Sequence, residues 1–558
     1  MEKTVVACIL LKYGVQNRIV ANPAAKHFMK LNALVRLPLL LLTAIFSLAT
    51  ANESRAAVIN ASSGSFAAVT AAVAAAAPGD TILIPPGTNI WTAKLEFSGV
   101  TLQGSGVNQT VIVDETAPVG NGSPLMQLSV NTNKLTRVTG IQFALGVTNK
   151  LPFHNYIGSI QVYGQSPLWR IDHCQFSWLT AKPIRVGDGS YGLIDHCNFL
   201  MNGMPNAIEI FDSGYGDVSW GTPANFGSVN AVYVEDNTIF AQDNFTAIDV
   251  SNGGRAVIRN NTLNGAFFNT HGTETSQRFR SARYVEVYNN AFNYGGGAPY
   301  NNFYTACDLR GGTAVVFSNS FVGYWSVASI NYYRATDNDT GFLPFFGATG
   351  LRAWDSNSPA LLTGTATVTS NSLVVPGAGW TPNQWFGCTV YNNNNQLCGI
   401  VTTNTADKMD FKISRRTWMQ INFNPGDTYT VHQIYPMIDQ PGMGQSDMLT
   451  GDSPNPTWLH FARDPIYVWG NSLSIMYNVA TAAPAKAGSG YPNIKEGRDY
   501  INGTARPGYT PYQYPHPLTQ ITNAVASTNI VIVIPPPPTN PVTPPTLQPP
   551  TQLYVRPL

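Results

Sequence analysis

Seven short segments of this 558-residue chain follow one pattern, and that pattern constrains the fold more than any other feature. They read "IDHCQF", "IDHCNF", "VEDNTI", "IRNNTL", "VYNNAF", "VFSNSF" and "VWGNSL". Each has a β-branched residue, two variable residues, Cys or Asn, a small or polar residue and a large apolar one. The Cys/Asn position falls at Cys174, Cys197, Asn237, Asn261, Asn290, Asn319 and Asn471. A second strand-like segment precedes most of them: "SIQVY", "PIRVG", "AIEIF", "AIDVS", "NTHGT" and "ACDLR". Short strands recurring in units of roughly 22 to 30 residues, with irregular loop insertions, are what successive coils of a parallel β-helix produce. The coils stack at about 4.8 Å. Equivalent residues then form ladders, and an inward ladder of Asn amides supplies hydrogen bonds to the backbone at the bend.

The Ile-Asp-His-Cys pair also invites a metal-site reading, which geometry disfavours. Neighbouring residues on an extended strand point to opposite faces, and the spacing matches no zinc pattern. His173 and His196, stacked on adjacent coils, remain a minor candidate for sharing an ion at the surface. Cys174 and Cys197 read as the start of the inward ladder, with a strained disulfide between them left open. Cys388 and Cys398 flank "TVYNNNNQL", two strands around an Asn-rich turn, where a local disulfide and two separate thiols are equally open readings.

Composition supports strands over helices. Apolar residues make up 44% and charged residues only 11%, with β-branched and aromatic residues recurring. The net charge of +1 gives no electrostatic footprint for nucleic acid.

The N-terminal 1–51 reads as a leader. Its start is taken at Met29, where "MKLNALVR" is a basic n-region, "LPLLLLTAIFSLATA" an apolar core and Ala49-Thr50-Ala51 a small-residue cleavage site. The apolar run is short and interrupted by Pro38, so the expectation is an exported, secreted or cell-surface protein with no stable membrane span. A retained anchor is the alternative.

After the leader, "SSGSFAAVTAAVAAAAPGDTILIPPGTNIW" offers cap residues, then an Ala-rich helix with Phe66, Val69 and Val73 on one face, a Pro-Gly-Asp stop and the strand "TILIP". A solenoid needs its open end covered, and this helix suits that place. Here the chain resembles the pectin lyase-like superfamily, whose opening is similar to "AAPGDTILIPPGT" followed by "VTLQGSG". The resemblance covers about residues 56 to 335 and resumes near 460. It implies a right-handed parallel β-helix, and a function among polysaccharide lyases, hydrolases, epimerases and non-catalytic tailspikes or adhesins. The Arg-containing pectate lyase signature and the Asp-rich polygalacturonase motifs are not evident in this sequence, which weakens the case for pectin.

The remaining organisation follows from where the repeat lapses. The β-helix is placed at 56–357, a small alternating β domain is inserted at 358–432, 433–520 returns to the helix with a Pro/Tyr-rich segment packed along it, and 521–558 is a polyproline-type tail. The insert reads as a lid or spacer, with carbohydrate binding as its alternative.

Chemistry concentrates on the second strand. In "x-I-x-V" the Ile and Val face inward, so the residue between them faces out. That position gives Gln161, Arg185, Glu209, Asp249, His271 and Asp308 in successive coils, a column of ionisable groups on one face. Like charges stacked so closely cost stability unless a cation, proton or substrate group intervenes. Insertions at 212–228 and 273–282 leave from the same corner and bring Asp212, Asp217, Trp220, Glu274, Arg278 and Arg280. The next outward position brings Tyr163, Phe211 and Arg310, and Arg255 and Arg283 begin neighbouring strands. Tyr324, Trp325, Tyr332, Tyr333 and Arg334 extend the groove or pack beside the insert.

Aromatic rings with arginines and carboxylates suit a polysaccharide carrying uronate or sulfate groups, with Arg185, Arg255, Arg278, Arg280, Arg283, Phe211 and Trp220 as substrate contacts. Two chemistries fit. In a lyase, His271 or an arginine among 280, 283 and 310 is the base, and Glu209, Asp249 and Asp308 hold Ca²⁺. In an inverting hydrolase, Asp249 and Asp308 work two coils apart, about 9.6 Å between Cα atoms. The expectation is a monomeric lyase acting on an acidic glycan. Hydrolysis, or a non-catalytic adhesive surface, are the rival readings, the last being the plain polar face of a β-helix.

Overall fold

The computed structural model describes residues 56–116, 124–146, 158–179, 182–201, 206–212, 216–272, 280–294, 305–330, 360–385, 388–395, 397–412, 421–433, 441–446, 461–474, 476–478 and 496–521. The leader, the proline-rich tail, Arg278, Glu274, Tyr332, Tyr333 and Arg334 lie outside them. Among the described residues no helix is long and apolar enough to cross a membrane.

The chain is a parallel β-helix. One 12-stranded sheet runs from Val58–Asn60 to Tyr500–Asn502, and we call it ladder one. A 17-stranded sheet holds the other two ladders, joined because the strands Thr238–Val250 and Thr262–Thr270 run through both. Ladder two contains Gln175–Ser177 and Asn198–Met201; ladder three contains Ile160–Tyr163, Ile184–Val186 and Ile208–Ile210. All pairings within these ladders are parallel, as the repeat requires.

The Cys/Asn position holds the coils together. Asn237 Nδ2 donates to Ile194 O and Glu235 O, each at 2.9 Å, while its Oδ1 accepts from Cys197 N. Asn261, Asn290, Asn319 and Asn471 continue the chain of amides, each Oδ1 accepting from the backbone N of the preceding rung at 2.9–3.0 Å. Asn237, Asn261, Asn290 and Asn319 are buried, where an unmet donor or acceptor costs about 1–3 kcal/mol. The residue just before each rung has positive φ: His173 50°, His196 52°, Asp236 58°, Asn260 56°, Asn289 57°, Ser318 54° and Gly470 61°. The pattern's third letter is therefore a left-handed bend, which explains its preference for Asn, Asp, His, Ser or Gly. Inside the coil, Phe143, Phe176 and Phe199 stack at 5.1 and 4.9 Å.

The helix Phe66–Ala75 packs against the first coils. Ser65 caps it, its Oγ accepting from Ala68 N at 3.3 Å. Val69 is fully buried, and Phe66 meets Trp91 edge-on at 5.6 Å. The insert is a six-stranded antiparallel sheet between Leu362–Thr365 and Thr428–Gln433, with its own core of Leu373, Val390, Val401, Phe423 and Val431. Its register sets Cys388 opposite Gln433 and Cys398 opposite Tyr391, so the two cysteines are out of step across the hairpin and a local disulfide does not fit.

The Pro/Tyr-rich segment straps ladder one. Arg259 donates to Tyr512 O and Gln513 O, both at 2.8 Å, His516 N donates to Glu235 at 2.9 Å, and Tyr509 OH donates to Glu286 at 2.5 Å. Outward charges on that ladder are thus consumed by the chain's own C-terminal part.

Candidate functional site

Ladder three carries the charged column, in a register that corrects one member. The paired positions run Glu96, Gln127, Gln161, Arg185, Glu209, Asp249, Asn269, Asp308 and Ser329. Asn269 stands where His271 was expected. The strand Thr262–Thr270 turns Phe268 inward, against Ile248 and Cys307, and this anchor sets the phase that "NTHGT" alone conceals. His271 follows Thr270 as Phe211, Ser251 and Arg310 follow their own paired residues, so it belongs to the next outward column.

His271 nevertheless reaches back into the first column. Its Nε2 lies 3.2 Å from Asp249 Oδ2, and its side chain is 29% exposed. Asp249 also accepts from Asn206 Nδ2 at 2.8 Å and Asn269 Nδ2 at 3.0 Å. Burial pushes the Asp249 carboxyl above its ordinary value, while Lys182, Arg310 and the two amides pull the other way. One coil on, Arg310 Nε donates to Asn269 Oδ1 and Thr270 O, each at 3.1 Å, and stands 3.9 Å from Asp308 Oδ2.

One coil back, the like-charge problem is solved by cations. Glu209 is held by Lys182 at 2.9 Å and Arg185 at 2.7 Å. The Arg185 guanidinium lies over the Phe211 ring at 4.3 Å, and Phe211 meets Tyr163 edge-on at 6.2 Å. Gly187 lies between them without a side chain: a Cβ there would sit 2.5 Å from Phe211 Cζ and 2.9 Å from Tyr163 Cε1, so a larger residue would push the rings aside. Lys182 and Asn206 were missed from sequence. Both lie two residues before an inward Ile, at 184 and 208, where strict period-2 alternation points a side chain inward, so the alternation that located the column could not have found them.

Four expected substrate contacts lie elsewhere. Arg255 donates to Ser219 Oγ at 2.9 Å and to Thr222 Oγ1; Arg283 donates to Thr222 O at 3.0 Å. Arg280 is fully buried over the Trp220 ring at 4.8 Å and pairs with Asp217 at 3.5 Å. Trp220 is itself fully buried, donating to Ser281 O at 2.9 Å. These side chains fix the short helix Asp217–Trp220 against ladder one, which removes Arg280 and Arg283 as candidate bases.

The column does not offer a fitting Ca²⁺ cage. Both oxygens of Glu209 are taken by Lys182 and Arg185, Asp249 is shared among two amides and an imidazole, and Asp308 stands two coils beyond Asp249. The positive charge a hard cation would bring is already supplied by side chains. Among the described residues no three His, Cys, Asp or Glu side chains gather as a metal site.

No protein-family model matches the sequence, and no curated protein does. Among solved structures the chain is similar to a variant of the PL6 family alginate lyase AlyGC, at 17% identity over 49% of this chain and 40% of that one, with a TM-score of 0.29. It is also similar to an alginate lyase from Paenibacillus sp. str. FPU-7, at 14% identity over 49% of this chain and 93% of that one, with a TM-score of 0.19.

Proposed function

We propose that the protein is an exported, monomeric polysaccharide lyase that cleaves an acidic, uronate-containing glycan by β-elimination. The observation that carries this is the Asp249–His271 pair set among Lys182, Arg185 and Arg310.

β-Elimination needs a base for the proton α to the uronate carboxylate and a positive group that stabilises the enolate-like charge spreading onto that carboxylate. Asp249 accepts from Nε2 of His271 and fixes the ring, which makes Nδ1 the proton-accepting atom. Arg310 occupies the equivalent place one coil on and faces the carboxylate of the same sugar. Lys182 and Arg185 receive the acidic group of a neighbouring sugar, with Phe211 and Tyr163 as its apolar platform. The carbon–oxygen bond at the β position then breaks, the departing sugar oxygen takes up a proton from water, and an unsaturated uronide is left.

Asp249 and Asp308 are two coils apart, with Asn269 between, which keeps inverting hydrolysis as the second reading. A panel of uronate and neutral polysaccharides separates the two. New reducing ends accompanied by ultraviolet absorbance support elimination, and reducing ends without absorbance mean hydrolysis. Binding without product means a non-catalytic glycan-binding surface.

A further inference from the structure

The corner between ladders one and two carries a second arrangement, remote in sequence register from the charged column. His173 and His196 occupy the same bend position on adjacent coils, their rings parallel within 4° and 5.0 Å apart. Nδ1 of His173 lies 2.7 Å from Asp172 Oδ2, and Nδ1 of His196 lies 2.7 Å from Asp195 Oδ2. Both carboxylates are fully buried and locked by arginine: Asp172 by Arg137 at 2.6 Å, Asp195 by Arg170 at 2.7 Å. A carboxylate accepting from Nδ1–H leaves Nε2 as the lone-pair atom and aims it outward. The two imidazoles are 58% and 47% exposed.

The bend alone does not call for this. Asn260, Asn289, Ser318 and Gly470 make the same left-handed turn on later coils without an imidazole. The next rung after His196 is Asp236, which adds negative charge beside the pair. We propose that His173 and His196 together bind one divalent first-row transition-metal ion of the imidazole-preferring kind, such as Cu²⁺ or Zn²⁺, through their Nε2 atoms. An ion bonded to two imidazoles at about 2.0–2.1 Å needs the nitrogens within about 4.2 Å of one another. The rings stand parallel, so each must turn about its Cβ–Cγ bond until the two in-plane Nε2 lone pairs converge on one point, a rotation that exposed side chains at a bend allow. The buried Asp–Arg pairs supply the outer support that raises ligand basicity.

The test is titration of the untagged, metal-stripped protein with Cu²⁺, followed by calorimetry and electron paramagnetic resonance. His173→Asn and His196→Asn are the variants, because Asn already serves this bend at 260 and 289 and the coil keeps its shape. The expected result is one saturable equivalent with a two-nitrogen signature, weakened at least tenfold by either variant. No saturable equivalent in the wild type, or less than a tenfold change in either variant, overturns the site.

Discussion

Nε2 of His271 lies 3.2 Å from Oδ2 of Asp249 across one coil, and the same carboxylate accepts from Asn206 and Asn269. Three neutral or cationic donors thus converge on one buried acid. Asp249→Asn preserves shape but removes the charge that orients the base. Turnover on a uronate polysaccharide is expected to fall by about 10²–10⁴, with the melting temperature little changed, because the lost carboxylate was itself paying for burial. Steady-state rates beside a thermal melt check this.

Glu209 neutralises Lys182 and Arg185. Glu209→Gln leaves two cations adjacent without their counter-charge. A loss of about 1–3 kcal/mol in urea unfolding is expected, discounted for the partial exposure of all three side chains. Stability unchanged within error would mean that solvent already screens the cluster.

The amide ladder makes a sharper stability claim. Asn290 Nδ2 donates to Ile258 O, Tyr288 O and Asn319 Oδ1, and its Oδ1 accepts from Asn261. Asn290→Ala strands several buried partners and is expected to cost about 3 kcal/mol or more. Asn471→Ala, at a less buried rung, costs less. Urea midpoints for the pair give the comparison.

These relationships differ in how far they could be read in advance. The ladder was legible because Cys174 to Asn471 repeat a residue type whose amide has one structural job, so periodicity and chemistry agreed. The column was legible where inward apolar residues flanked it: Ile or Val at Arg185, Glu209 and Asp249, and Cys307 and Leu309 at Asp308. It failed at His271, where the inward residues are Phe268 and Thr270 and the strand "NTHGT" offers no apolar marker of phase. Arg255, Arg280, Arg283 and Trp220 were misplaced for another reason. Which way an insertion folds at a corner depends on packing against ladder one, and residue type alone carries no such information.

Glu286 gives a pH signature. Burial raises its carboxyl to about 7, beneath Tyr509 and Gly227 N. A raised folded value means that the folded state holds a proton the unfolded state has released. Its contribution is therefore complete below the ordinary value of about 4.5 and is lost as pH rises through 7. Glu286→Gln should flatten the difference in unfolding free energy between pH 5 and pH 8 relative to the wild type. Measuring both proteins at both pH values cancels other groups, His516 included.

Because side-chain cations already neutralise Glu209 and flank Asp249, removal of Ca²⁺ by a chelator is expected to leave any lyase rate within about twofold, well under 1 kcal/mol of barrier. A large loss restored by Ca²⁺ alone would show that the carboxylates rearrange to hold it.

The central claim is that His271, held by Asp249, removes a proton from a uronate. The most direct measurement is the rise in ultraviolet absorbance of an unsaturated uronide when the purified protein meets an acidic polysaccharide, compared with His271→Ala at equal folded concentration. The account predicts a steady rise for the wild type and a rate at least 100-fold lower for the variant. An unchanged rate in His271→Ala, or cleavage by the wild type with no absorbance, would contradict it.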